Sequence, residues 1–420
     1  MAYTLISSVG TGMYDEKEGK YQNTRYRFLN RHECETRIFL HALLTERYKE
    51  FEQVLLVGSY TSSWDVFIDE TDDSALDLWM ALKEECEAKK DESAAKGISE
   101  ENRKRLEAYL SKRYAIPFSI TVHVPKIDED TSQEIFDIYT RLVATLKPTT
   151  RVLLDITHGF RSMPILLYQA IQFNALSQNS DMIFPVELVY GEYIRDQKIS
   201  SVRNLSPYWD FYEYASYLRL FEEKLNAKPL AKRLVPYWEE GAKALERLSK
   251  IIECNYSLQI VEVMKQIKNA LQKNITDQPE WVQKAKTILA EIHRRLAQAT
   301  LPEMLYEYSQ LLEEKGLITQ AVIALQVCVE TAIVEKYASE AYIGDYDWWK
   351  DYGRDIYKKL IKQHYLYDLY KLENLRNEIA HGGARDKETK QYPSPESYPR
   401  IVKKGSAAVL KLLKILKETE

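Results

Sequence analysis

Three short apolar runs in the first 160 residues each pass directly into a turn of glycine, serine and threonine. They cover residues 4–9, 54–57 and 152–156. Compact runs rich in β-branched residues and leucine are typical of buried strands, and strands that alternate with helices indicate a parallel sheet. The helices are expected at residues 34–50, 74–90, 132–145 and 164–177. Because parallel strands share one carboxyl edge, we expect the three turns to meet in an α/β domain over residues 1–205.

The turn after the third run has the most distinctive sequence. It reads Asp155-Ile-Thr-His-Gly-Phe-Arg161, and Ser162 and Pro164 follow. We expect Ser162 to cap a helix that has Pro164 in its first turn, and Asp155 to organise the turn. Free amides and the positive helix end would attract an anion, and Arg161 would add a charge. The turn therefore predicts a phosphorylated ligand, although most strand–turn–helix joints bind none.

Neither of two common nucleotide-binding motifs is present. No Gly-Lys-Ser/Thr sequence follows the third turn, as a P-loop requires. Gly10 and Gly12 begin a glycine pattern, but Asp15 stands where a dinucleotide fingerprint has its third glycine. We expect the His158 ring to bond a backbone carbonyl of its own turn, and Trp64 either to stack on a base or to pack in the core.

The three turns together resemble the CARF domain of CRISPR-associated proteins. The likeness rests on Gly10-Thr-Gly12, Gly58-Ser-Tyr-Thr-Ser-Ser-Trp64 and residues 155–161, and residues 186–191 are similar to the strand that ends such domains. In that family the domain dimerises and binds cyclic oligoadenylate, so the resemblance implies this activator, with the tetra-adenylate favoured. The residues that it implies at the ligand are Gly10, Thr11, Gly12, Ser59, Tyr60, Thr61, Ser62, Thr157, His158, Gly159, Phe160 and Arg161.

After Ser206-Pro207 only helical periodicity continues. We expect a helical connector over residues 206–304 and a compact helical bundle over residues 305–420. The helices expected in the bundle cover residues 318–337, 365–381 and 399–418. The first of these is strongly apolar and carries Gln326, Glu330 and Glu335 along its length.

The composition argues against several classes of protein. The net charge is −5, so salt-sensitive nucleic-acid binding is not expected from the overall charge. The cysteines, Cys34, Cys86, Cys254 and Cys328, form no C-x-x-C pair, so neither a zinc site nor a disulfide framework is predicted. We expect a cytoplasmic protein, since the sequence has no signal-peptide layout and no uncharged apolar run of about 18 residues.

A second motif lies near the end of the chain. The run Leu375-Arg-Asn-Glu-Ile-Ala-His-Gly-Gly383 places Arg376 five positions before His381. Asn377 and His381 are four residues apart and share a helix face, and the two glycines favour a helix end after His381. Residues 27–32 have the same Arg-to-His spacing inside the α/β domain, so the spacing alone is weak evidence.

Arg376, Asn377 and His381 resemble the catalytic motif of HEPN ribonucleases, which are helical bundles. The resemblance implies a homodimer or higher oligomer, a single-stranded RNA substrate, and no metal or other cofactor. A histidine can move the 2′-hydroxyl proton near neutral pH, and an arginine can offset charge on phosphate oxygens. Asn377 would position the pair, and the products would be a 2′,3′-cyclic phosphate and a 5′-hydroxyl.

The sequence therefore predicts an α/β Rossmann-like CARF domain, an all-α helical connector and a HEPN bundle. Its expected function is that of a cyclic oligoadenylate-activated endoribonuclease in type III CRISPR antiviral defence. Three alternatives stay open. Arg376 could pair with Glu373 or Glu378 while His381 only caps its helix. The CARF site could degrade its ligand as a ring nuclease, or the chain could be a non-catalytic sensor whose bundle dimerises or binds a partner.

Overall fold

The chain divides into two compact units, Met1–Asp210 and Phe211–Glu420. The computed structural model describes residues 2–10, 14–15, 20–69, 71–87, 98–123, 131–146, 151–159, 162–177, 186–381 and 394–418. The amino-terminal unit ends close to residue 205, as the sequence suggests. The boundary that we predict after residue 304 stays a prediction.

The amino-terminal unit alternates strands with helices. Its strands are β1 (Tyr3–Val9), β2 (Tyr14–Asp15), β3 (Lys20–Tyr21), β4 (Thr24–Arg27), β5 (Glu33–Thr36), β6 (Phe51–Ser59), β7 (Phe118–His123), β8 (Arg151–Asp155), β9 (Val186–Ile194) and β10 (Ile199–Asn204). Its helices are α1 (Phe39–Arg47), α2 (Leu76–Glu87), α3 (Glu100–Tyr114), α4 (Ser132–Ala144) and α5 (Ser162–Ser177). The helix predicted to begin near Ser162 is therefore confirmed.

Eight of these strands form one sheet in the order β5-β4-β10-β9-β8-β1-β6-β7. β1 lies between β6 and β8 and is parallel to both. The chain therefore places β6 and β7 on one side of β1, and then crosses to place β8 on the other side. Such a reversal of strand order leaves a crevice at the carboxyl ends of the strands. The ends of β1, β6 and β8 therefore lie where ligands of open α/β sheets bind.

The central strands are buried on both faces. Every residue of β1 is buried, and successive side chains enter opposite cores because a strand repeats every two residues. Leu5 packs with residues of α1, α2 and α3, whereas Ile6 packs with residues of α4 and α5. This three-layer packing explains why the strands read as continuous apolar runs in the sequence.

The expectation of a helix over residues 34–50 is wrong in its first part. Residues Glu33–Thr36 form β5, which pairs antiparallel with β4, and the helix begins only at Phe39. The side chains of this edge strand alternate between exposed and half-buried, and such a polar strand lacks the apolar signal of the central strands. β9 and β10 also pair antiparallel, so the sheet is mixed and not wholly parallel.

The carboxyl-terminal unit is helical throughout the residues that the structure describes. Its helices are α6 (Ser206–Lys224), which contains the division between the units, α7 (Lys228–Leu234), α8 (Glu239–Glu253), α9 (Ile260–Leu271), α10 (Glu280–Leu296), α11 (Leu301–Glu314), α12 (Ile318–Tyr337), α13 (Tyr346–Trp348), α14 (Arg354–His364), α15 (Asp368–Ala380) and α16 (Tyr398–Glu418). A π-helical turn, Trp349–Gly353, joins α13 to α14.

One buried apolar cluster in this unit extends from Phe221 to Leu416. At its centre lies α12, which contacts α11, α15 and α16 and has the bounds predicted from the sequence. α12 is also long and apolar enough to cross a membrane by length and composition alone. Most of that apolar stretch is buried inside the unit, as is usual for a core helix.

The motif helix is shorter than expected. Tyr365 adopts a left-handed conformation, φ 55°, and ends α14, so the helix predicted over residues 365–381 is α15 and begins at Asp368. The last helix begins at Tyr398, one residue before the expected position. Gly382 and Gly383 lie outside the described residues.

Candidate functional site

The turns after β1, β6 and β8 lie against one another. A Cβ atom added to Gly10 would stand 2.6 Å from the amide nitrogen of Gly159, so the first and third turns are in backbone contact. The amide of Ser63, in the second turn, donates to the carbonyl of Gly10 at 3.0 Å. The predicted meeting of the three turns is therefore confirmed.

These turns enclose a cavity of about 260 Å³. Its lining residues are Gly10, Ser59, Thr61, Ser62, Thr157, His158 and Gly159. All of them belong to the set that the sequence places at the ligand. Tyr60 is not part of this lining, and its amide donates to the carbonyl of His123 at 3.0 Å. Thr11, Gly12, Phe160 and Arg161 lie outside the described residues.

Asp155 is fully buried and organises the third turn, as expected. One carboxylate oxygen accepts a hydrogen bond from the hydroxyl of Ser7 at 2.6 Å, and the other accepts one from the amide of Thr157 at 2.8 Å. Burial raises the pKa of this carboxyl group. The neighbouring hydroxyl of Ser8 donates to the backbone carbonyls of Asp155 and His158. β1 therefore holds the turn that follows β8.

Thr157 and His158 bind the third turn to two further elements. The Thr157 hydroxyl accepts a hydrogen bond from the amide of Gly191, on β9, at 2.8 Å. Nε2 of His158 accepts one from the amide of Phe39, the first residue of α1, at 3.2 Å. Burial lowers the pKa of His158, which favours the neutral ring that can accept this bond. The ring is therefore structural, although its partner is an amide of another element and not a carbonyl of its own turn.

The second turn is fixed by its own side chains. The Ser62 hydroxyl donates to the carbonyl of Val9 at 2.7 Å and accepts from the amide of Ser59 at 2.9 Å. Trp64 is fully buried, and its indole donates to the Ser59 carbonyl at 3.2 Å. Of the two expectations for Trp64, packing in the core is confirmed. The half-buried Thr61, whose hydroxyl lies 3.0 Å from that of Ser59, remains a side chain that can reach a ligand.

The second predicted site lies at the carboxyl end of α15. The Arg376 guanidinium donates to the side-chain oxygen of Asn377 at 3.0 Å, and the amide of His381 donates to the Asn377 carbonyl at 3.0 Å. Arg376 and His381 are exposed. The opposite face of the helix is buried through Leu369, Leu372 and Leu375. The packing of α15 therefore presents the motif to solvent.

The two Arg-to-His matches have different surroundings. Arg27 lies 2.7 Å from the Glu33 carboxylate, and Nδ1 of His32 lies 2.7 Å from that of Glu46, so both side chains contact surface carboxylates. Arg376 instead bonds an amide within its own motif. The nearby carboxylate of Glu373 lies 4.0 Å from another guanidinium, that of Arg354. The arginine of the match in the helical unit is exposed and bonds within its own motif.

A cavity of about 350 Å³ lies beside this motif, and the sequence analysis did not predict it. Its lining includes Arg376 and Asn377, Gln326 and Glu330 of α12, and Trp349 of the π-helical turn. Burial raises the pKa of the Glu330 carboxyl, and the positive charge of Arg376 partly offsets this rise. The available signal was the pair of polar residues Gln326 and Glu330, four apart, within the most apolar stretch of α12.

Comparison with known proteins finds similarity mainly in the α/β unit. Residues 4–190 match the family model described as "CRISPR system endoribonuclease Csx1, CARF domain". The chain is also 23% identical over 410 residues to the CRISPR-associated protein MJ1674 of Methanocaldococcus jannaschii, a match that covers 92% of this chain and 63% of that protein. This chain therefore spans less than two thirds of the length of that relative.

A solved structure similar to this chain is Enterococcus italicus Csm6 bound to cyclic hexa-2'-fluoro-hexa-dAMP. The alignment covers 100% of this chain and 96% of that one, with a TM-score of 0.39 and 12% sequence identity. The family match and the curated relative show that the α/β unit is similar to the CARF domain of CRISPR-associated proteins of the Csx1 kind. In this chain the α/β unit is followed by a large helical unit.

Proposed function

We propose that this chain is a cytoplasmic endoribonuclease of type III CRISPR defence that cyclic oligoadenylate activates and that cuts single-stranded RNA. One observation carries the proposal. The chain that matches the CARF domain of a CRISPR endoribonuclease also carries the exposed Arg376 and His381 and the half-buried Asn377 at one helix end. The helical unit is proposed to be a HEPN ribonuclease.

The α/β unit would bind the activator at its turn cavity. Backbone groups of Gly10 and Gly159 and the hydroxyl of Thr61 suit an anionic, nucleotide-like ligand. The cavity, at about 260 Å³, is smaller than the ~300–1,000 Å³ of sites that enclose a whole ligand. One protomer would therefore hold only part of a cyclic tetra-adenylate, which supports a homodimer that shares one ring.

The helix end of α15 would cut the RNA. His381 would take the proton of a ribose 2′-hydroxyl, whose oxygen attacks the adjacent phosphorus as the bond from phosphorus to the 5′-oxygen breaks. The leaving 5′-oxygen takes a proton from solvent water and becomes the 5′-hydroxyl. Arg376 would offset the negative charge that develops on the phosphate oxygens, and its bond to Asn377 would hold it in place. The products would be a 2′,3′-cyclic phosphate and a 5′-hydroxyl, formed without a metal ion. Ligand binding would activate the enzyme because the ring binds the cutting-competent state more tightly.

A cleavage assay with fluorescent single-stranded RNA in EDTA tests this function. The full-length protein is mixed with the RNA and with no ligand or one cyclic oligoadenylate of each ring size. We expect ligand-dependent cleavage, with the tetra-adenylate most effective and with 2′,3′-cyclic phosphate ends on the products. Intact RNA at every ring size would refute the ribonuclease and, with ligand binding still measured by calorimetry, would favour a non-catalytic sensor.

Two matched histidine variants sharpen the assay. His381→Ala should abolish RNA cleavage and leave oligoadenylate binding unchanged. His32→Ala carries the same change in the other Arg-to-His match, where the ring pairs with Glu46, and should keep full activity. If His381→Ala still cut RNA, the assignment would be wrong. If it consumed the cyclic ligand, that activity would belong to the α/β unit and identify a ring nuclease.

A further inference from the structure

The wall of the cavity beside Arg376 includes a buried glutamine, Gln326, with one unpaired side-chain atom among the described residues. Gln326 is 6% exposed and lies in the cavity wall. Its amide nitrogen donates to a carboxylate oxygen of Glu330 at 3.0 Å. Its amide oxygen is buried and has no hydrogen-bond partner among the described residues. A buried acceptor without a donor costs about 1–3 kcal/mol, so its retention in a cavity points to a ligand that supplies the donor.

The lining of the cavity is also aromatic. It includes the half-buried Trp349 and the exposed Tyr342 and Tyr346. Trp349 begins a π-helical turn, a distortion that is frequent at functional sites. At Gly353 a Cβ atom would stand 2.4 Å from the Trp349 ring, so glycine permits the close approach that sets this ring in the wall. Aromatic rings of this kind can stack on any nucleobase, and each stacked base contributes about 1–3 kcal/mol to binding.

The charged and polar residues of the cavity lining indicate which ligand it could bind. Arg376 and Arg354 line the same cavity, so a phosphate held by Arg376 would place a neighbouring base within reach of Gln326 and Glu330. The two neighbouring groups on α12 are acceptors, the amide oxygen of Gln326 and the carboxylate of Glu330. The one donor of uracil, its N3–H, is flanked on both sides by carbonyl oxygens, and two adjacent acceptors would repel at least one of these oxygens. The exocyclic amino groups of adenine, cytosine and guanine would supply the missing donor.

We propose that this cavity binds a nucleobase next to the scissile phosphate, and that Gln326 and Glu330 select bases that carry an exocyclic amino group over uracil. The inference rests on the proposed ribonuclease function and names the substrate preference of that site. Gln326 is a specificity-determining residue, and Trp349 supplies the stacking surface.

The test uses DNA oligonucleotides that contain one ribonucleotide, so that only one 2′-hydroxyl can react. The base of that ribonucleotide, or of the next nucleotide, is adenine, cytosine, guanine, uracil or unsubstituted purine. With wild-type protein and saturating cyclic oligoadenylate, we expect kcat/KM to be about 10- to 100-fold lower for uracil than for the amino bases at one of these positions. Unsubstituted purine, which lacks the amino group of adenine, should fall to the uracil rate.

Two glutamine variants distinguish a loss of base recognition from a general effect of the substitution on folding. Gln326→Met should remove most of the preference, because uracil no longer meets a buried acceptor. Gln310→Met is the matched control, since this half-buried glutamine bonds Ser406 at 2.7 Å and lies outside the cavity, and it should keep the wild-type preference.

Equal wild-type rates for adenine, unsubstituted purine and uracil at both positions would overturn the base pocket and leave the ribonuclease standing. A wild-type protein that cuts none of the oligonucleotides and no RNA would refute the proposed function, and the base pocket with it. Both results come from the wild-type protein, so they do not depend on whether a variant folds.

Discussion

Replacement of His41 by leucine should make the α/β unit less sensitive to acid. The His41 ring lies on α1 between Phe67 and Tyr114, at centroid distances of 6.1 and 5.9 Å. Its Nε2 is buried and has no hydrogen-bond partner among the described residues. Burial, together with the positive charges of Arg113 and Arg37, lowers the pKa of the ring from 6.5 to about 3.

The sign and the size of the effect follow from these two pKa values. Below pH 6.5 the unfolded chain binds a proton at His41, while the folded chain does not until the pH approaches 3. The free energy of unfolding is therefore highest above pH 6.5 and falls by about 1.4 kcal/mol per pH unit below it. Between pH 7.5 and pH 5.0 this residue alone should remove about 2 kcal/mol.

Hydrogen exchange in urea can measure this loss locally. The free energy of unfolding is obtained from peptides of residues 39–59 by mass spectrometry, at pH 7.5 and pH 5.0, for wild type and His41→Leu. Acidic groups titrate alike in both proteins, so the difference between the two pH-dependent changes isolates His41. We expect the variant to lose about 2 kcal/mol less than wild type. An equal loss in both proteins would show that the ring is already protonated or hydrated in the fold.

Three further outcomes follow from the described contacts. Gly10→Ala should weaken cyclic oligoadenylate binding at least about tenfold in calorimetry. The added methyl group would push Gly159 out of the cavity wall, and an unchanged affinity would contradict this prediction. Ser62→Ala removes a buried hydroxyl that bridges two strand ends, and should lower the free energy of unfolding of the α/β unit by about 1–3 kcal/mol. Iodoacetamide should modify the exposed Cys254 well before the buried Cys328, whose pKa burial raises; equal rates in peptide mass spectrometry would refute the packing around α12.

The sequence predicted the parts of the fold that depend on local pattern. β1, β6 and β8 were recognisable because both of their faces are buried, and α12 because most of its residues are apolar and buried. The strand β4, which lies between the edge strand β5 and β10, was missed because only one of its four residues is buried. A strand of this kind is specified by its partners in the sheet, which a single sequence does not show.

The turn cavity and the cavity beside Arg376 also differ in how far local sequence patterns predict them. The ends of parallel strands meet by geometry, so the residues of the turn cavity could be named without knowledge of the strand register. The bond from Ser7 to Asp155 joins residues far apart in sequence and depends on that register. The cavity beside Arg376 needs α12, α15 and the π-helical turn to converge, and no local pattern encodes that convergence.

The hydrogen bonds around the third turn also set an order of events during synthesis. Ser7 must wait for Asp155, and Thr157 for Gly191, so the turn cavity can close only after residue 191 has left the ribosome. At ~5–20 residues per second, the Arg376–His381 helix end is made roughly 10–40 seconds later. A nascent chain can therefore close its turn cavity before the helix proposed to cut RNA exists. During that interval the polysome that makes this protein carries folded turn cavities, while the proposed cleavage helix has not yet been synthesised.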